Sequence, residues 1–228
     1  MTVILVLFTF LVFAIIDYVL HKTPAVAGAP EVEPEPAAEP DYVGGFFAPQ
    51  TVRYHAGHGW LMRERPNLAR VGMDDFAATI AGKLDRIELP KPGQWIRQGQ
   101  QAWSLFRQGE KVEMVSPIEG EVVAVNAEAL QNPSLVRNDP YGKGWLIKVH
   151  VPDEESTMRN LLPTGMVRRW MSEVAEQFYG LQPQLAGAVS ADGGLTVEDP
   201  LAELPHISWK ETASEFFLTG SGSEIARS

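Results

Sequence analysis

Short apolar runs separated by turn residues fill the middle of the chain, from Thr51 to Pro152. Runs of this length, bounded by Gly, Pro and Asn, are typical of the strands of a sandwich or barrel. The clearest of these runs are 68–73, 87–89, 102–106, 112–115, 120–125 and 145–151. The pattern therefore predicts an all-β domain over residues 51–152.

One helix interrupts this β pattern. Asp74 precedes seven residues that contain neither Gly nor Pro, and Gly82 follows them. Aspartate caps a helix by accepting hydrogen bonds from its first N–H groups, and glycine commonly follows the last turn. The pattern predicts a helix over 75–81. A helix N-terminus also accounts for the adjacent carboxylates of Asp74 and Asp75 without any acid–base role.

From residue 153 the apolar positions follow a helical period. Residues 155–162 predict a short helix, and residues 164–178 predict a longer one with an apolar face. We assign 153–182 to C-terminal helices and 183–228 to a tail that ends in a short aromatic helix.

Four apolar residues in this tail are candidates for binding a partner protein. The alternative is that they fold back onto the β domain, and the sequence does not choose between the two. The candidates are Trp209, Phe216, Phe217 and Leu218.

The first 22 residues contain one long apolar segment. Residues 3–20 are apolar except at three positions, and a helix of that length spans roughly 27 Å, close to the hydrocarbon thickness of a bilayer. We interpret 1–22 as a single-pass transmembrane anchor. Because His21 and Lys22 follow the segment and no Lys or Arg precedes it, the positive-inside rule places the C-terminal body in the cytoplasm.

A cleaved signal peptide is the alternative interpretation, since residues 25–27 resemble a cleavage site and Gly28 would then begin the mature chain. The length of the apolar segment favours the anchor. Residues 23–50 follow as a Pro- and Glu-rich linker, whose acidic residues have no basic counterparts. Such a segment cannot bury a core. Phe46 and Phe47, at its end, are the residues that could contact the domain or a partner.

Composition and charge exclude several function classes. The formal net charge is −10, so nucleic acid, which is bound through its phosphates, is not an expected partner. The chain has no cysteine, which excludes disulfides and thiolate catalysis. His55 and His58 have a spacing compatible with metal binding, but no third ligand is evident nearby. We expect no metal, no catalytic residues and no enzymatic activity.

Residues 139–146, which read DPYGKGWL, carry the most specific signal in the chain. With Tyr54, 58–60, 71–77, 84–93 and 116–123, they resemble the glycine cleavage system H protein family over about 54–178. The resemblance implies a flattened barrel-sandwich of two small sheets and a C-terminal helix. It also implies a β-hairpin, which in the family carries a lipoyl group on a lysine at its tip.

The resemblance also locates the position of that lysine. In the family it lies eight residues before the proline of a Ser-Pro pair, and counting back from Pro117 gives Gly109. The nearest lysine is Lys111. A shift of two residues keeps the same sheet face but moves the side chain away from the apex. We therefore expect no bound cofactor, because glycine suits a tight hairpin but offers no amine.

Two functional hypotheses follow. The first is a degenerate, non-catalytic H-protein-like subunit, accessory or structural, of a larger membrane complex such as an electron-transport or other energy-converting assembly. Its partners would be other protein subunits and the lipid bilayer, through residues 3–20. The alternative is a lipoyl carrier of glycine-cleavage type that carries lipoate on Lys111.

Overall fold

The computed structural model comprises two compact units, Met1–Glu39 and Pro40–Ser228. The residues that it describes are 2–20, 41–181, 199–202 and 206–220. The linker prediction for residues 23–40 therefore lies outside the described residues.

The first unit contains helix α1 (Thr2–Leu20), which forms over the apolar segment identified in the sequence. Large apolar side chains such as Phe10 and Phe13 are exposed along it. None of the helices among the described residues combines the length and the hydropathy that crossing a bilayer requires. The predicted transmembrane anchor is therefore not supported, and the cytoplasmic location of the body stays a prediction.

The second unit is built mainly from antiparallel strands. Those among its described residues are β1 (Tyr42–Val43), β2 (Phe46–Phe47), β3 (Arg53–Tyr54), β4 (Gly59–Arg65), β5 (Leu68–Met73), β6 (Arg86–Glu88), β7 (Trp95–Ile96), β8 (Gln101–Arg107), β9 (Glu110–Val115), β10 (Gly120–Val125) and β11 (Ile147–His150). One sheet has the order β3-β4-β5-β11-β10-β7, a second has the order β6-β8-β9, and β1 pairs with β2. The predicted fold, mostly β with added helices, is confirmed.

Helices cover and connect these sheets. Those in the second unit's described residues are α2 (Asp75–Ala81), α3 (Ala127–Gln131), α4 (Ser134–Asn138), α5 (Glu154–Arg159), α6 (Thr164–Leu181) and α7 (Trp209–Phe216). Helix α2 has the predicted bounds: Oδ1 of Asp74 accepts a hydrogen bond from the N–H of Ala77, and Gly82 follows at φ 63°. Helix α6 buries the predicted apolar face through Val167, Met171 and Phe178.

Helices α3 and α4 lie between β10 and β11, in a stretch where the sequence pattern predicts no helix or strand. Asn126 begins α3, and its side-chain oxygen accepts hydrogen bonds from the N–H groups of Glu128 and Ala129. The amide nitrogen of Asn126 donates to the carbonyls of Lys143 and Trp145. The cap thus depends on residues from a distant part of the loop, which a local pattern does not contain.

The boundary of the β domain lies earlier than the sequence indicates. Residues 41–50, assigned to the linker, include the β1–β2 pair, and Phe46 is fully buried. Its ring packs edge-on against Phe76 of α2 at a centroid distance of 4.9 Å. This contact adds aromatic surface to the core, which is why a segment that follows a Pro- and Glu-rich stretch is ordered.

Candidate functional site

The β8–β9 hairpin is the first candidate site, because its turn lies where the sequence places the attachment position. Leu105 pairs with Val112 and Arg107 pairs with Glu110, so Gln108 and Gly109 form a two-residue turn. Their φ angles are 51° and 83°, as a type I′ turn requires. The N–H of Gln108 donates to Oδ2 of Asp85 at 2.6 Å, which ties the turn to the start of β6.

The apex of this hairpin offers no amine. A Cβ atom added at Gly109 would meet no other atom within 4 Å, so the position faces open space. The structure therefore confirms that Gly109 is a turn residue with a positive φ. A lipoyl group is attached through an amide bond to a side-chain nitrogen. Glycine has no side chain, so residue 109 cannot carry a lipoyl group.

Lys111 lies just beyond the turn, on the outer face of the three-stranded sheet. Its side chain is 46% exposed, and its Nζ lies 2.7 Å from Oε1 of Glu113. It pairs across the hairpin with Phe106, whose ring stacks under the guanidinium of Arg86 at 3.9 Å. Lys111 therefore presents a partly exposed amine on the arm of the hairpin, in the position that the sequence predicts.

The opposite face of the hairpin is buried. Arg107 is only 6% exposed, and its Nη2 lies 3.0 Å from Oδ2 of Asp199. Its Nη1 donates to the carbonyl of Ala81 at 3.4 Å, and the guanidinium lies 5.8 Å from the ring centroid of Trp209. This pairing is not evident from the sequence, since no local pattern links Arg107 with the C-terminal segment.

Three of the four candidate partner-binding residues in the tail are buried in the domain. Trp209, Phe216 and Phe217 are buried within the second unit, and the indole N–H of Trp209 donates to the carbonyl of Ile80 at 3.1 Å. For these three residues the structure shows the alternative in which they fold back, because burying them against the domain removes their apolar surface from water. Leu218 stays 45% exposed.

A buried histidine–carboxylate pair lies near the start of α2. Nδ1 of His58 is 2.8 Å from Oδ2 of Asp74, and both side chains are almost inaccessible to solvent. The His58 ring lies between Phe76, at a centroid distance of 4.5 Å, and Trp170, at 4.8 Å. Because both side chains are buried, the pair has a structural role: it joins the residue before β4 to the start of α2.

His55 is held by a different contact. Its Nδ1 accepts a hydrogen bond from the N–H of Gly57 at 3.0 Å. Burial lowers the pKa of His55, and the nearby His58 lowers it further. No three His, Asp or Glu side chains of the described ranges converge in a way that could hold a metal ion.

Tyr141, in the 139–146 motif, forms hydrogen bonds with backbone groups of strand β2 and helix α2. The hydroxyl of Tyr141 donates to the carbonyl of Phe47 at 2.7 Å and accepts from the N–H of Asp75 at 3.2 Å. Burial raises the pKa of Tyr141, and burial likewise raises the pKa of Asp75. The motif that looks most distinctive in the sequence therefore has a structural role.

A shallow cavity of about 250 Å³ lies elsewhere on the domain. Trp95, Gln98, Glu119 and Asp153 are among its lining residues, and none of the lining residues belongs to the β8–β9 hairpin. Gln98 Nε2 donates to the carbonyls of Pro117 and Thr157, so the floor is fixed by internal hydrogen bonds. The hairpin remains the candidate site.

A family model described as glycine cleavage H-protein matches residues 52–174. The chain belongs to this family. The match begins before β3 and ends within α6, so it includes the whole β8–β9 hairpin and leaves α1 and α7 outside.

Relatives in other organisms agree with this assignment. The glycine cleavage system H protein of Mycobacterium leprae (strain Br4923) is 36% identical over 123 residues, which cover 53% of this chain and 93% of that protein. That of Carboxydothermus hydrogenoformans is 35% identical over 115 residues, 50% of this chain and 88% of the relative. A crystal structure of the Mycobacterium marinum H protein aligns with 24% identity and a TM-score of 0.45, covering 59% of this chain and 98% of that one.

Within the H-protein domain, the predicted site residues fall into separate groups. Gly109 and Lys111 lie together at the hairpin. The aromatic residues of the tail lie against α2 and β9, as the alternative of folding back predicts. Asp199 and Arg107 carry only a weak signal in the sequence: an arginine at an inward-facing strand position needs a buried partner.

Proposed function

We propose that the second unit is an H-protein-type carrier, and that Lys111 is the residue that takes the lipoyl group. The observation that supports this proposal is an exposed lysine amine on the hairpin arm of an H-protein family domain. This corresponds to the alternative hypothesis drawn from the sequence, which fits the family better than a subunit without a cofactor.

The surroundings of Lys111 suit attachment. A lipoyl group bound there supplies a dithiolane that can be reduced and reoxidised. Glu113 holds the Lys111 amine on the outer face of the sheet, where no described segment covers it. The Arg86–Glu88 pair and the Phe106 ring form the adjoining surface, and this surface is available to an enzyme that acts on the arm.

Intact-mass measurement tests this proposal. The full chain is produced in cells that contain a lipoate-attaching enzyme and are supplied with lipoate, and peptides spanning 108–120 are then mapped. We expect a lipoyl adduct on the wild-type chain, no adduct on Lys111→Arg, and an unchanged adduct on Lys143→Arg, which alters an exposed lysine in the segment before β11. An unmodified wild-type chain contradicts the proposal, as does an adduct that persists in Lys111→Arg.

A second candidate function is favoured by one observation, the glycine at the apex. In this candidate the domain is a non-catalytic accessory subunit that contacts other proteins without carrying a cofactor. An unmodified wild-type chain in the mass measurement, together with co-migration in a large assembly after mild detergent extraction, supports this candidate. Migration as a free monomer argues against it.

A further inference from the structure

The C-terminal segment packs against the inner face of the β8–β9 hairpin. Among its described residues, 199–202 and 206–219 lie beyond the family match, which ends at residue 174. Helix α7 contacts both β9 and α2. The segment is therefore an addition to the H-protein domain that reaches the same hairpin as the candidate site, from the other side.

The polar part of this contact centres on Arg107. Burying a guanidinium group is unfavourable unless it is paired and hydrogen-bonded. Asp199 supplies the charge partner at 3.0 Å, Ala81 supplies a carbonyl, and the ring of Trp209 faces the guanidinium. Two of these three groups belong to the C-terminal segment, so the hairpin's buried arginine depends on that segment.

Gly82 makes room for this ion pair. Its φ is 63°, and a Cβ atom there would come within 2.5 Å of Nη1 of Arg107 and 2.7 Å of Oδ1 of Asp199. The backbone after α2 therefore lies directly against the Arg107–Asp199 pair. The N–H of Lys83, the next residue, donates to Oδ2 of Asp199 at 3.4 Å, which joins the same three parts of the chain.

The apolar part of the contact is provided by α7. Phe216 packs edge-on against Phe76 at a centroid distance of 5.0 Å, and Phe217 is fully buried. Past the helix, Oγ1 of Thr219 donates to the carbonyl of Glu113 at 3.0 Å. This hydrogen bond satisfies a backbone group of β9, an edge strand that would otherwise expose it.

We propose that residues 199–202 and 206–219 form a clasp that holds the β8–β9 hairpin against α2 and limits its local opening. When the clasp is closed, the inner face of the hairpin is buried and only the face bearing Lys111 is accessible. Release of the clasp exposes Arg107 and the inner face while the six-stranded sheet stays folded. The proposal is independent of whether Lys111 carries a lipoyl group.

Hydrogen–deuterium exchange on the full chain tests the clasp. Asp199→Asn removes the charge partner of Arg107, and we expect peptides covering 104–114 to exchange at least about tenfold faster than in the wild type. Peptides covering 60–72, in the six-stranded sheet, are expected to keep their wild-type rates. Glu211→Gln, which neutralises an exposed carboxylate in the same segment, is the matched control and leaves both regions unchanged.

Two further variants make the result decisive. Asp199→Glu keeps the carboxylate and restores most of the hairpin's protection if charge pairing is the cause. Trp209→Phe keeps an aromatic ring but removes the indole N–H that bonds Ile80 and part of the ring that faces Arg107, and gives a local increase of several-fold even if Asp199→Asn does not fold. Unchanged hairpin exchange in Asp199→Asn and Trp209→Phe overturns the proposal, and so does equal acceleration in both sheets, which indicates global destabilisation.

Discussion

Nδ1 of His58 and Oδ2 of Asp74 lie 2.8 Å apart, and neither side chain is accessible to solvent. The same carboxylate caps α2 through the N–H of Ala77. Asp74 therefore provides a hydrogen-bond partner to the buried ring nitrogen of His58. It also accepts from an N–H group in the first turn of α2, which has no partner within the helix. His58 directly precedes β4, so the pair joins the start of that strand to helix α2. Helix α2 in turn contacts α7 of the clasp.

Replacing Asp74 is expected to be costly. Asp74→Ala leaves the His58 ring nitrogen and the α2 N-terminus without partners, and we expect the free energy of unfolding to fall by about 2 to 4 kcal/mol. Chemical denaturation measures this. Asp153→Ala removes an exposed cap from α5 and is expected to cost only about 0.5 to 1 kcal/mol. Equal losses for the two variants would show that burial of the pair adds nothing.

The lowered pKa of His55 leads us to expect that the free energy of unfolding depends on pH. Because burial lowers the pKa of His55 below its ordinary value of 6.5, the unfolded chain binds this proton more readily than the folded chain. Its contribution to stability is therefore complete above pH 6.5 and is lost as the pH falls toward the lowered folded-state pKa.

His55→Asn is the control for this effect, because the asparagine oxygen can accept the hydrogen bond from Gly57 without titrating. Unfolding free energies at pH 7.5, 6.5 and 5.5, values chosen around the ordinary histidine pKa, are compared for the two chains. We expect the wild type to lose more stability than the variant on acidification. Parallel curves contradict the assignment.

The hairpin turn predicts a stabilising substitution. Gln108 has φ 51°, a left-handed conformation that asparagine adopts at lower cost than glutamine, and Asn-Gly is the preferred type I′ pair. We expect Gln108→Asn to raise the free energy of unfolding by about 0.5 kcal/mol. Gln101→Asn, which makes the same change at the first residue of β8, is expected to be neutral or slightly destabilising. A gain in both variants would show that the turn is not responsible.

A lysine placed at the apex tests whether the attaching enzyme selects the position of the lysine on the hairpin or the residues around it. In the Lys111→Arg background, Gly109→Lys places an amine where the family has its attachment residue. We expect it to be lipoylated in the same expression system, with a cost of about 1 to 2 kcal/mol for a side chain at positive φ. Gly109→Gln in that background introduces the same backbone strain without an amine. If the Gly109→Lys chain is not modified, the attaching enzyme does not recognise a lysine at the apex of this hairpin.

Several elements were predictable because their signals are local. The cap and the end of α2 each depend on a residue next to the helix, and the hairpin turn depends on two adjacent residues. The apolar face of α6 follows from its periodicity, although Met166 of that face is exposed. The Phe46 contact was not predictable, because an apolar pair at the end of an acidic, proline-rich stretch gives no indication of which core it enters.

The sequence by itself determined the family, the β domain, the bounds of α2 and the absence of an amine at the hairpin apex, because each of these is written in neighbouring residues or in a specific motif. Only the tertiary structure decided that the aromatic tail is buried, that Asp199 neutralises Arg107 and that His58 meets Asp74. Those pairings join residues from separate elements, and burial in a shared core selects them. Local propensity does not encode which distant side chain will lie opposite a given position.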